Sequence, residues 1–94
     1  MKVKVAFHGE VRRAAGTPGL ELELRNGSTV RAVLQLLRDQ FNTAFRELVG
    51  EGEEALRRVT VFLNGENILI KEGLETPVKD GDELYIFTPV AGGA

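Results

Sequence analysis

The chain has no cysteine, no tryptophan and a single histidine, His8. Without a thiol it can form no disulfide, no thiolate metal site and no cysteine nucleophile. One imidazole leaves no second histidine for a metal site or for a histidine-based dyad. An excess of one charge is also missing: twelve basic residues stand against fourteen acidic ones, a formal charge of -2. Nothing in that balance neutralises a run of phosphates, which argues against a nucleic-acid-binding protein. No apolar run approaches the length of a membrane span. Met1-Lys2-Val3-Lys4-Val5 alternates polar and apolar residues instead of forming the apolar core of a signal peptide, so the expected location is cytoplasmic, with no membrane partner. Ninety-four residues make one small domain, with a modest core and little volume for a deep catalytic cleft.

What is present is periodic. Val3, Val5 and Phe7 alternate with Lys2, Lys4 and His8, the pattern of a strand with one buried face. Gly9 to Gly19 reads as a polar, glycine-punctuated loop. Leu20, Leu22 and Leu24 alternate with Glu21, Glu23 and Arg25 in a second strand, and Asn26-Gly27 signals a turn before Ser28, a candidate helix cap. From Val30 the period becomes helical through Val33, Leu34, Leu37 and Phe41. Phe45, Leu48 and Val49 continue an apolar pattern, and Gly50 to Glu54 reads as an acidic loop. Val59, Val61 and Leu63 define a third strand ending at Asn64-Gly65, Ile68 to Ile70 reads as a further short strand, and Leu84 to Thr88 is the last strand, closed by Pro89. Two strands, a helix and further strands predict an α+β roll: a mixed sheet with a helix packed across one face and the first and last strands as neighbours.

Most candidate chemistry dissolves on inspection. His8 alternates away from Val3, Val5 and Phe7 and reads as a surface residue. Glu51, Glu53 and Glu54 fit no calcium-loop spacing and read as a solvated charge run, so no metal site is predicted. Arg12 and Arg13 lie near Gly9 and Gly16, but no Gly-Lys-Ser or Gly-Lys-Thr follows them. The tail is different. Pro89-Val90-Ala91-Gly92-Gly93-Ala94 leaves a core strand without charge or amphipathic pattern, which divides the chain into a folded part, 1–88, and a tail, 89–94. Five extended residues span on the order of 17 Å, and a glycine pair presents backbone without a Cβ. Such an end suits a narrow channel in another protein; a frayed terminus has the same composition.

Gly73-Leu74-Glu75-Thr76-Pro77-Val78-Lys79-Asp80-Gly81-Asp82-Glu83-Leu84, then Phe87-Thr88-Pro89-Val90-Ala91-Gly92-Gly93, together with Val61-Phe62-Leu63-Asn64-Gly65-Glu66 and the Val3 to Phe7 strand, form an ordered set. The set resembles the ubiquitin-like sulfur carriers: the small subunit of molybdopterin synthase (MoaD), the thiamine carrier ThiS and their archaeal modifier relatives. The likeness covers most of the chain, and the extra Phe41 to Arg58 segment looks more like MoaD than ThiS.

The resemblance implies a β-grasp (ubiquitin-like) fold and a carrier that is not catalytic alone and binds no cofactor. In the family, an E1-like adenylating enzyme uses ATP to activate the carboxylate of the second glycine, and a sulfur donor displaces AMP to leave a thiocarboxylate. Carried over, the reacting residue is Gly93, with Gly92, Ala91, Val90 and Pro89 giving access. The implied partners are the adenylating enzyme, the sulfur donor and an acceptor such as the large subunit of molybdopterin synthase. The family ends at the glycine pair whereas Ala94 follows here, which leaves three accounts: Ala94 is trimmed before activation, the first choice; it is an oddity of this sequence; or this carrier is no longer activated. A modifier joined to target lysines through Gly93, and a binding module that uses only its sheet face, are the other readings. Strand alternation places Tyr85, Phe87 and Phe62 on the sheet face away from the core, where they are candidates for partner binding; the alternative places Tyr85 or Phe87 beneath the Phe41 to Arg58 segment.

Overall fold

The computed structural model describes residues 1–89. The chain runs β1 (Lys2–Phe7), α1 (Gly9–Ala15), β2 (Gly19–Glu23), α2 (Val30–Gln40), α3 (Thr43–Val49), α4 (Glu53–Arg58), β3 (Thr60–Leu63), β4 (Glu66–Asn67) and β5 (Glu83–Phe87), with 3₁₀ turns at Ile68–Ile70 and Gly73–Glu75. The five strands form one sheet in the order β2-β1-β5-β3-β4. The central pair, β1 and β5, is parallel, with Lys4 opposite Glu83 and Phe7 opposite Ile86. The first and last strands are therefore neighbours, and the arrangement is the β-grasp roll.

Alternation decides which face is which. Val3, Val5 and Phe7 of β1, Val61 and Leu63 of β3, and Leu84 and Ile86 of β5 are all buried on one side. Val30, Val33, Leu34 and Leu37 of α2 fill that side, with Phe41 just beyond the helix packed edge-on to Phe7 at 5.5 Å and Phe45 of α3 at 5.7 Å from the same ring. The Phe41 to Arg58 segment thus lies over the inner face of the sheet. Its helices are closed by polar contacts: Asn42 accepts from the Phe45 N–H at 2.9 Å at the start of α3. At the other end, Arg38 donates to the carbonyls of Arg46 and Gly50 at 3.1 and 2.8 Å, adding a second bond to the Arg46 carbonyl that already accepts the Gly50 N–H and holding the carbonyl of the capping Gly50.

Four elements differ from the sequence expectation. Gly9 to Ala15 is a helix rather than a loop, with only Val11 fully buried and a left-handed Gly16 closing it. The acidic Gly50 to Glu54 stretch leads into α4, whose first-turn Glu54 pairs with Arg57 and Arg58 at 2.9 and 3.3 Å. Those two hydrogen bonds hold the Glu54 carboxyl below its ordinary pKa. Ile68 to Ile70 is a 3₁₀ turn, because Ile68 alone enters the core and the Asn67 side chain accepts from the Leu69 N–H; the fourth strand is Glu66–Asn67. Ser28 does not cap α2: its hydroxyl donates to the Arg25 carbonyl at 2.7 Å, and Thr29 occupies the cap position.

Candidate partner-docking face and tail exit

The outer sheet face is built from the residues that alternate away from the core. Register places Ala6 opposite Tyr85, Tyr85 opposite Phe62, and Phe87 opposite Thr60. Two diagonals join the rings across strands. Phe62 and Phe87 have centroids 5.5 Å apart, and Tyr85 lies 5.5 Å from His8, which follows β1. Tyr85 is 43% exposed, and Phe62 and Phe87 are half-buried against each other. None of the three lies under the Phe41 to Arg58 segment, whose rings pack on the inner side.

Beside this aromatic ridge the same face falls away. Ala6, Pro18 and Gly19 floor a shallow concavity of about 490 Å³, with Tyr85 on one wall and Lys4, Glu21 and Glu83 around it. Gly19 is required there for a packing reason: a Cβ would run into the Val5 carbonyl and the Ala6 Cα of β1. A raised aromatic ridge next to a small-residue hollow is a surface suited to burial against another protein.

The sequence located Phe62, Tyr85 and Phe87 but assigned no part in this face to His8. The cue was the same alternation, since a residue two beyond Ala6 must share its side. The imidazole is exposed and makes no hydrogen bond among the described residues. The Glu51, Glu53 and Glu54 run is spoken for by arginines: Glu53 pairs with Arg31 at 3.1 Å and Glu54 with Arg57 and Arg58. Among the described residues, no cluster of histidine, aspartate and glutamate stands close enough to hold a metal ion, and no helix is long and apolar enough to cross a membrane.

Strand β5 carries the ridge directly into the tail. Phe87 is followed by Thr88 and an exposed Pro89, where the lack of an N–H ends sheet pairing. The sequence-predicted access and reacting residues Val90, Ala91, Gly92 and Gly93 lie outside the described residues. The opposite end of β5 is fixed by Asp82: its carboxylate accepts from the Lys79 N–H at 2.7 Å and from the Asn64 side chain at 3.0 Å, while Glu83 N–H donates to Asn64 Oδ1. Asp80 accepts from Lys2 N–H at 2.6 Å. The Asp80-Gly81-Asp82 motif is thereby a bracket that aligns β1, β3 and β5, and so sets where Phe87 and the tail leave the sheet.

Known proteins share both the sequence pattern and the fold. The model of the ThiS family matches residues 5–93. The chain is 29% identical to small archaeal modifier protein 3 of Haloferax volcanii, over 99% of this chain and 100% of that one. The solution structure of small archaeal modifier protein 1 from Methanosarcina acetivorans superposes with a TM-score of 0.76 at 37% identity, covering 98% of this chain and 96% of that one. The BexX/CysO complex of Amycolatopsis orientalis contains a chain with a TM-score of 0.72 at 33% identity, over 97% and 99% of the two chains. This chain belongs to the ThiS family of ubiquitin-like, β-grasp sulfur carriers and modifiers.

Proposed function

We propose that this protein carries sulfur as a C-terminal thiocarboxylate on Gly93 and docks on its partners through the Phe62, Tyr85 and Phe87 face. The observation that carries this reading is the continuity of β5: the strand that presents Tyr85 and Phe87 runs on within two residues to the tail of the glycine pair. A partner that grips the outer face is thereby placed to receive the tail.

The chemistry follows from the carboxylate's weakness as an electrophile. ATP converts the Gly93 carboxylate to an acyl-adenylate with release of pyrophosphate. A sulfur donor then forms the carbon–sulfur bond as the carbon–oxygen bond to AMP breaks. The resulting thiocarboxylate is a nucleophile that needs no cysteine, which suits a chain with none. Ala94 must first be removed, because it occupies the position of the free carboxylate. The acceptor in this reading is a large subunit of the molybdopterin synthase kind.

A second reading has its own support, since two of the similar proteins are named modifiers. In it the same adenylate is consumed by a lysine of a target protein, giving an isopeptide bond. Incubation of the chain ending at Gly93 with the adenylating enzyme of its own organism, ATP and a sulfur donor tests the first reading. Intact mass should show one oxygen replaced by sulfur. Lysine-linked products without any sulfur-for-oxygen exchange support the modifier reading, and no change of any kind rejects both.

A further inference from the structure

The four lysines and the arginines are not interchangeably placed. Lys2 and Lys4 lie on β1, paired in register with Glu23 and Glu21, and Lys4 is opposite Glu83 at the start of β5. Lys79 is held by Asp82 in the turn before β5, and Lys71 pairs with Glu66, the register partner of Leu63, which itself faces Leu84. All four lysines are therefore rooted near the beginning of β5. The tail leaves from the other end of that strand.

At the tail end the cations are arginines. Arg12 and Arg13 are exposed on α1, which begins where the His8 N–H meets the Ile86 carbonyl, and neither forms an ion pair among the described residues. Arg57 and Arg58 close α4, and only Val59 separates them from Thr60, the register partner of Phe87. An acyl-adenylate is attacked by any deprotonated amine within reach: the carbon–nitrogen bond forms, AMP departs with the oxygen, and the nitrogen sheds its proton. A lysine ammonium can give up that proton. A guanidinium stays charged and is no nucleophile.

We propose that arginine at positions 12, 13, 57 and 58 keeps the tail exit free of amines, so that the activated C-terminus is not consumed by its own domain. The inference rests on the proposed activation at Gly93. Reach supports it. Glu83 lies about 13 Å back along the strand from Phe87, so a tail of about 17 Å must reverse and stretch almost fully to approach Lys4. Arg58 precedes the register partner of Phe87 by two residues and α1 begins at the Ile86 carbonyl, so these arginines sit on elements at the end of β5 from which the tail departs, with no reversal needed. Arg12 and Arg13 keep unpaired positive charge at that end of the domain among the described residues, which suits a tail that ends in a carboxylate, thiocarboxylate or adenylate.

The test needs no activating enzyme. The chain ending at Gly93 is prepared as a C-terminal mercaptoethanesulfonate thioester and followed by intact mass at mildly alkaline pH. Cyclisation gives a lactam lighter by one water than the hydrolysed acid. In an Arg12→Lys/Arg13→Lys variant the lactam should form roughly tenfold or more faster than in the wild type, because a nearby amine acts at a millimolar effective concentration. Arg58→Lys tests the other side of the exit. Arg25→Lys adds an exposed amine at the far end, beyond Glu23, and should match the wild type. Equal rates in the Arg12→Lys/Arg13→Lys and Arg25→Lys variants, or a wild-type thioester that cyclises as fast as either, overturns the proposal while leaving adenylation at Gly93 to be judged separately.

Discussion

The rings of Phe62 and Phe87 meet at 5.5 Å with a 48° tilt on the side of the sheet that faces away from the core. A half-buried pair of large rings on a solvent face contributes little to folding compared with rings in the core, and it sits at the root of the tail. In the proposed reading its value lies in the partner that covers it.

Phe87→Ala should therefore weaken binding to the adenylating enzyme more than it weakens the fold. Loss of a central aromatic anchor costs about 2 kcal/mol of binding, or roughly thirtyfold in affinity. Titration calorimetry with that enzyme, paired with urea denaturation of the free variant, separates the two effects. A fold lost together with binding would assign Phe87 to structure instead.

Phe45→Ala tests the core in the opposite sense. Phe45 is fully buried and packs against Phe7 and Phe41, so truncation should cost about 3–5 kcal/mol. Chemical denaturation reads the loss directly. Binding measured on the remaining folded fraction should be unchanged.

Gly19→Ala probes the hollow beside Tyr85. The added methyl meets the backbone of β1 rather than a side chain that can move, so β2 must shift. A destabilisation of about 1–3 kcal/mol follows from overpacking, and amide exchange in β2 should quicken before that in β3.

Acid stability has a defined contributor in α4. Arg58 and Arg57 hydrogen bonds lower the Glu54 pKa from its ordinary 4.5, so as the pH falls the unfolded chain takes up that proton before the folded one does. The contribution is complete above about pH 4.5 and is lost as the pH drops through the lowered folded value. Denaturant midpoints of the wild type should fall more steeply over that window than those of Glu54→Gln. The pair is exposed, so the difference is small and shrinks with salt.

The strands were legible because each buries one face: Val3, Val5 and Phe7 leave no other arrangement that hides all three. The same alternation placed Phe62, Tyr85 and Phe87 on the outer face. The short helices were not legible, for a physical reason. With Val11 its only fully buried side chain and glycines at both ends, α1 carries no helical period to detect. In α4 only Ala55 is fully buried, and the glycines and glutamates before it have the composition of a loop. Ile68-Leu69-Ile70 looks like a strand by composition, yet Leu69 and Ile70 are 61% and 74% exposed and only the first residue is core. The role proposed for the tail rests on the ordered motif that leads to it. Alternation and periodicity say nothing of Gly93.

Activation at Gly93 is tested most directly by ATP–pyrophosphate exchange catalysed by the adenylating enzyme of the same organism. The chain ending at Gly93 should support exchange, whereas the chain retaining Ala94 and the chain ending at Gly92 should not. Exchange supported equally by the chain that ends in Ala94, or absent with the chain that ends at Gly93, would contradict the account.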